Sequence, residues 1–355
     1  MINVLNRRFG VEIEMLVPVR VSREALASAL TAAGCPTQVM GYNHQRFTTW
    51  KTVSDASVRP EMGYYGIELV SPPMQGEEGF AQVVAAGNVL GPLGCKVNRS
   101  TGLHIHVDAA TLTPDSMRRL AAVYADAEPV IDSLMPPSRR GDANTYCGSM
   151  RRLQRDVLAR ASDASSIAQA VNGGSRFCKL NFTAFWRHRT VEFRHHSGTV
   201  DGAKIVNWAK LCLRMVDFAA NSTVSFATGV AMPVSVRAGT KRALLVELLM
   251  RPMGATRNEL LRATGARTLS LGALSKAAGV TIVRGRRVNG GHTRYHATTA
   301  ATRMTTSVVP ENMTYESFCE RLEFTSDERE FWDARRAFLA NAINPFILTQ
   351  SIHNV

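Results

Sequence analysis

Polar and apolar residues alternate with period two in three stretches of this chain, and the polar members are unusual for a half-buried strand. Gly102-Leu103-His104-Ile105-His106-Val107-Asp108 sets two imidazoles and a carboxylate on one face of a β-strand, and Leu103, Ile105 and Val107 on the other. Phe9-Gly10-Val11-Glu12-Ile13-Glu14 does the same with Glu12 and Glu14 against Val11 and Ile13. Thr190-Val191-Glu192-Phe193-Arg194-His195-His196 groups Glu192, Arg194 and His196 opposite Val191 and Phe193. Carboxylates crowded on one face repel each other unless a cation sits among them. Each stretch alone also describes an ordinary surface strand; the three together predict one sheet whose polar face bears a metal site.

The rest of the pattern fills in an α+β domain over residues 1–222, with mostly antiparallel strands and helices on one face. Strand one covers 7–17. Ser22 caps a helix over 23–33 that Gly34 ends, with Glu24 in its first turn. Residues 37–42 and 46–53 read as a hairpin turning near Tyr42-Asn43-His44. Asp55-Ala56-Ser57 precedes a strand around 66–70, stopped by Pro72-Pro73. A helix over 77–90, a short strand at 96–98 and the HxHxD strand follow. Pro114 opens a helix over 115–134 that Pro136-Pro137 closes. The polar segment 138–147 is a loop over the site. After a helix at 165–171, residues 177–182 and 190–196 form a hairpin with Trp186-Arg187-His188-Arg189 at its tip, and an amphipathic helix over 200–220 closes the domain.

Residues 223–239 read as a linker, and beyond it the texture changes. Helices are expected at 241–250, after the capping box Thr256-Arg257-Asn258-Glu259, and at 270–278; strands at 280–283 and 293–296 pair across Asn289-Gly290-Gly291. Three short helices before a hairpin resemble a small winged-helix module over 240–300. Residues 301–355 form a helical extension whose Glu316, Glu320, Glu323 and Glu328 are placed to dock on that module or on the first domain.

Charge sharpens the division. Of a net +13, residues 237–300 carry +10, from 12 Lys/Arg against two Asp/Glu. A basic module beside a nearly neutral domain points to a polyanionic partner such as DNA, met by Lys276 on the third helix and Arg284, Arg286, Arg287 and Arg294 on the wing; an accessory fold that binds protein or covers the first domain is the other reading. The six cysteines are scattered without a CxxC pair, as in the reduced thiols of a cytosolic protein. The first strand leaves no room for a signal peptide, and no apolar run approaches the roughly 18 residues that span a bilayer, so a cytoplasmic protein away from membranes is expected.

The order GVEIE, WKTVSDASV, GIELVSPPM, STGLHIHVD, TVEFRHHSGT resembles the amidoligase family over roughly residues 7–220. That family belongs to the carboxylate–amine ligases with a glutamine-synthetase-like catalytic sheet, which include the glutamate–cysteine ligases. The resemblance implies amide-bond formation through an acyl phosphate made from ATP, with Mg²⁺ or Mn²⁺ to neutralise the triphosphate, an acid and an amine as substrates, and assembly into a homo-oligomer. The ExE strand (Glu12, Glu14) and the glutamate before LVSPP (Glu68) resemble the family's metal ligands; Glu192 and His104 join them, and His104 and His106 stand as metal or phosphate contacts. Arg194 offers a planar fork for the γ-phosphoryl, or an ion pair with Glu192 or Glu12. His196 contacts phosphate or hydrogen-bonds within the sheet. Asp55 and Ser57 position the amine or a nucleotide phosphate, or make a capping turn. Arg139 and Asn144 resemble substrate-loop positions, with Arg139 and its neighbour Arg140 otherwise solvated, and Asn181 is a further candidate. Trp50 and Lys51 fit the family pattern, with aromatic packing the other role for Trp50. No GxxxxGK[ST] or GxGxxG loop is present, so the sheet and its metals hold the nucleotide.

Two other classes stay open on the residues alone. HxHxD also occurs in zinc hydrolases, which act without ATP; four glutamates are more than zinc needs. A DNA-binding regulator with a retired ligase-like domain is the other, against which stands the intact acidic set.

Overall fold

The computed structural model describes residues 4–41, 48–221, 240–250, 255–266, 268–278, 280–284, 293–299 and 313–343. The chain divides into two compact units. One comprises Met1–Leu158, Ser162–Asn221 and Asn312–Val355, the other Ala159–Ala161 and Ser222–Glu311.

Seven strands form the sheet of the first unit: β1 (Phe9–Pro18), β2 (Thr37–Val39), β3 (Trp50–Val53), β4 (Tyr64–Val70), β5 (Gly102–Asp108), β6 (Leu180–Asn181) and β7 (Thr190–Ser197). Their order is β2-β3-β4-β1-β5-β7-β6. Every pair is antiparallel except β2 with β3, where Thr37 meets Trp50 and Val39 meets Thr52 in a parallel register. The hairpin expected over 37–53 is therefore wrong: a parallel pair needs a crossover, which a tight turn cannot supply. Tyr42-Asn43-His44 lie outside the described residues.

The apolar half of the period-two pattern supplies one buried face. Val11, Ile13, Ile67, Leu69, Leu103, Ile105, Val107, Val191 and Phe193 are at most 1% exposed. The first unit's helices are α1 (Arg23–Ala32), α2 (Gly76–Leu90), α3 (Pro114–Ser133), α4 (Arg155–Arg160), α5 (Ala164–Asn172), α6 (Ala184–His188) and α7 (Gly202–Asn221). Helices α2, α3 and α7 pack together, with Tyr124 of α3 against Phe193 at 5.7 Å. The caps follow the sequence: Ser22 accepts from the Ala25 N–H, and Thr113 from Ser116 ahead of Pro114 at the helix start. Helices α2 and α7 meet at two glycines; a Cβ on Gly87 would lie 2.5 Å from the Gly202 nitrogen, so only this pair lets the backbones come so close.

The second unit has its own core. Its elements are α8 (Lys241–Met250), β8 (Ala255–Thr256), α9 (Arg257–Thr264), α10 (Leu271–Ala278), β9 (Val280–Arg284) and β10 (Arg294–Thr299), with the strands in the order β8-β10-β9. Val246, Leu249, Leu260, Leu274 and Ala278 are buried together. The capping box forms, Thr256 Oγ1 accepting from Glu259 N while Glu259 Oε2 accepts from Thr256 N, and Gly265 ends α9 in the left-handed region. Lys276 is exposed on α10. Arg284 and Arg294 lie on the paired strands, but their side chains, like Arg286, Arg287, the Asn289-Gly290-Gly291 turn and the segment 223–239, fall outside the described residues.

Of the two docking places open to the C-terminal helices, α11 (Tyr315–Arg321) and α12 (Ser326–Ile343) take the first unit. Trp332 is buried on Trp208 of α7 at 6.3 Å. Arg214 of α7 meets both Glu328 oxygens, at 3.2 and 2.8 Å, with all partners buried. No helix of the described residues is long and apolar enough to cross a membrane. All six cysteines are free and buried.

Candidate active site

The polar half of the same alternation converges on the face of the sheet away from α2, α3 and α7. Register sets the neighbours: Glu14 lies opposite Glu68, Glu12 opposite His104, and His106 opposite Glu192, which also faces Asn181. His106 Nε2 is 3.1 Å from Glu12 Oε1, and His104 Nδ1 is 3.3 Å from Glu12 Oε2 and 3.5 Å from Glu192 Oε1. Glu192 is held from both sides, by Arg194 Nη1 at 2.5 Å and by Asn181 Nδ2 at 2.6 Å. Glu14 Oε2 accepts the Gly102 N–H at 2.6 Å, and a Cβ on Gly102 would stand 3.0 Å from His104 Nε2, so the site uses that glycine for close approach.

Electrostatics follow from this crowding. Burial alone pushes Glu12 upward, but the charges of His106 and His104, with the His104 hydrogen bond, win and hold its carboxyl well below the usual range. Glu68 goes well above that range, through burial first and then the charges of Glu12, Glu14, Asp55 and Glu192. His106 is desolvated, yet Glu12 and Glu192 raise it above an ordinary imidazole. Glu192 lies low because Arg194 and the two histidines outweigh its burial.

Ligand atoms gather in three overlapping groups, each within 4.8 Å: Glu12 with His106 and Glu192, Glu12 with Glu68 and His104, and Glu14 with Asp55 and Glu68. The atoms present fit divalent cations. His106 Nε2 is buried and stands 3.1 Å from Glu12 Oε1 without a well-formed hydrogen bond, and a carboxylate-rich set with imidazole suits Mg²⁺ or Mn²⁺. Asp55 thus stands with the ligands; its Oδ1 also accepts the Ser57 N–H at 2.6 Å, which is the capping turn.

Two chambers flank these groups. The larger, about 810 Å³, is lined by the cluster, by Asp55, Ser57, Arg139, Asn144, Asn181 and Arg194, and by a rim drawn from the 144–146 loop, the 174–177 loop and α6. The smaller, about 350 Å³, has walls of Phe9, Val11, Val70 and Pro73, with Arg8, Lys51 and Arg189. Glu12, Glu68, His106 and His188 line both. Lys51 is buried, which depresses its ammonium against the pull of Glu12 and Glu68. Trp50 takes the packing role, fully buried with Nε1 on Gln82.

Arg194 makes the ion pair with Glu192 and also lines the larger chamber, with its Nε buried and without a hydrogen bond. Arg139 is not solvated: it is 4% exposed, with Nη2 on the Thr101 carbonyl at 2.5 Å. Arg140 is half-buried, its Nε on the Met135 carbonyl at 2.8 Å. His196 is the correction among the site residues. The β5–β7 register shifts between Leu103 and Ile105, so His196 falls opposite Leu103 and not beside Glu192. Its ring sits 5.4 Å from Trp208, its Nδ1 is on the Ser197 carbonyl, and burial drives it well below the usual imidazole range.

A second polar cluster, unforeseen from sequence, lies on the helix side. Lys179, fully buried, reaches Glu128 Oε1 and Asp132 Oδ1, each at 2.6 Å. Glu128 also takes Ser149 Oγ and the Met150 N–H, and Asp132 Oδ2 takes the Gly141 N–H. The loop bearing Arg139 and Asn144 is thereby pinned to α3. His195 Nε2 lies 2.8 Å from Asp132 Oδ1 and its Nδ1 2.9 Å from the Tyr124 hydroxyl; burial depresses it to about 4. The rim residues Tyr146, Arg176, Phe177, Trp186 and Arg187, and His188 and Arg189 beyond them, were also not singled out. The polar-aromatic tip Trp186–Arg189 was the available signal.

A family model described as "Putative amidoligase enzyme" matches residues 5–216, which holds every strand of this sheet. A search of curated proteins finds no matching relative.

Proposed function

Since the chain belongs to the amidoligase family, we propose that it is an ATP-dependent ligase that joins a carboxylate to an amine through an acyl phosphate. One observation carries the reading: three overlapping carboxylate and imidazole groups stand between two chambers. Divalent cations held there by Glu12, Glu14, Glu68, His104 and Glu192, with His106 and Asp55, would neutralise the triphosphate. The smaller chamber, with apolar walls and Arg8, Lys51 and Arg189, suits the nucleotide; the larger receives the acid. The side chains common to both mark where phosphoryl donor and carboxylate meet. Arg194 is oriented by Glu192 and offers its guanidinium to the transferring phosphoryl. Arg139 has no carboxylate partner among the described residues and binds the acid, beside Asn144. Asn181 fixes Glu192.

The test is ADP release with Mg²⁺ or Mn²⁺ across a panel of amino acids and polyamines, with Glu12→Gln as control. Turnover that needs both an acid and an amine, and vanishes in the variant, supports the ligase. Hydrolysis without ATP by a zinc-loaded protein overturns it.

We also read the second unit as a winged-helix-like module that brings the ligase to nucleic acid, on the strength of the +10 charge of residues 237–300 and of exposed Lys276 on α10. Binding of the full chain to duplex DNA should then weaken steeply with salt. Salt-independent binding, or none at low salt, overturns this part.

A further inference from the structure

The inner wall of the larger chamber holds every carboxylate of its lining, with Arg139 and Arg194 among them. The carboxylates Glu12, Glu14, Asp55, Glu68 and Glu192 are all buried or half-buried, while the exposed charged residues of its lining are Arg176 and Arg187, both basic. The same lining includes Tyr146, Phe177 and Trp186, which are 48%, 37% and 52% exposed. These side chains come from three separate segments of chain. Tyr146 meets Phe177 edge-on at 5.4 Å, and the Arg176 guanidinium lies 5.1 Å over the Phe177 ring. Monomeric proteins rarely leave several large aromatics exposed together at the mouth of a cavity without a partner for them.

We propose that this rim is a docking site for an acidic peptide segment, one of whose carboxylates reaches Arg139 and is the acid that is activated. The proposal rests on the ligase reading for the last step only. A free amino acid bound at Arg139 leaves much of an 810 Å³ chamber to water and the rim uncovered. A longer chain covers the aromatics and sets its own negative charges against Arg176 and Arg187. A nucleic acid fits the rim but not the interior, since it carries no carboxylate to activate.

The experiment uses the full chain with Mg²⁺ and titrates a hexapeptide of alternating glutamate and alanine against free glutamate. Binding is read by calorimetry and by tryptophan emission. Trp186 is the exposed indole, since Trp50, Trp208 and Trp332 are at most 1% exposed. The peptide should bind at least about ten-fold more tightly than glutamate, with a change in emission. Trp186→Ala, or Arg176→Ala with Arg187→Ala, should weaken the peptide about ten-fold and glutamate less. Equal affinity for peptide and amino acid overturns the proposal. So does an equal loss for both ligands in the variants. Displacement of the emission change by MgATP alone, or its replacement by an oligonucleotide that the peptide cannot match, also overturns it. Hydroxylamine trapping separates the two readings: tight peptide binding without any ATP-dependent hydroxamate supports the docking site and removes the ligase.

Discussion

At the level of single residues, the site turns on who neutralises whom. Glu192 is shared between Arg194 and Asn181, so Arg194 arrives at the chamber already oriented. Lysine keeps the charge but not the fork, and Arg194→Lys should lower kcat about 10²–10³-fold in the ADP-release assay, with a smaller change in the KM for ATP. His195 gives a pH prediction. Its folded value of about 4 lies below the ordinary imidazole value, so the unfolded chain binds the proton first as pH falls. Its contribution is complete above about pH 6.5 and is lost toward pH 4, roughly 3 kcal/mol in all. Urea midpoints followed by tryptophan emission should fall across that window, and His195→Gln should flatten the dependence. Glu12, Glu14, His104, His106 and Glu192 were legible in the sequence because period two fixes a face, and Glu68 through the family resemblance alone. His196 was not, because a register shift beside His104 breaks that count and leaves no mark in the residue order.

At the level of elements, the same contrast holds between local and distant signals. Caps and strand faces depend on residues a few positions apart, and Ser22, Thr113 and Thr256 behaved as their surroundings dictate. The Lys179–Glu128–Asp132 cluster depends on residues about fifty positions apart, on a strand-edge segment and a helix, and no spacing rule announces it. Removing the cation leaves two buried carboxylates without it. Lys179→Met should therefore cost about 3–5 kcal/mol in urea unfolding and loosen the Arg139 loop, seen as faster proteolysis near residue 140. The α2–α7 contact is equally invisible in pattern. Gly87→Ala drives a Cβ into the Gly202 backbone, and a drop in melting temperature of several degrees is the expected result.

For the whole molecule, two separate cores predict two unfolding events. All four tryptophans lie in the first unit, so calorimetry should resolve two transitions and tryptophan emission only one. Coincidence of the two traces at a single midpoint would show that the units unfold together. The change of texture near residue 240 was readable from charge and short helical periods. The membership of the C-terminal helices was not, since glutamates on α11 and α12 fit a basic surface anywhere, and it is the bidentate Arg214–Glu328 pair with Trp332 on Trp208 that decides it.

That arrangement has a consequence for the order of synthesis. The first unit is written in two instalments, with the second unit translated between them. A nascent chain that has emerged only as far as residue 300 carries Arg214 without its carboxylate and Trp208 without its cover. The sheet can form on the ribosome, but its seal waits for the last stretch of message. A premature stop after residue 222 thus yields a protein with all seven strands and an open flank where Trp332 would have covered Trp208.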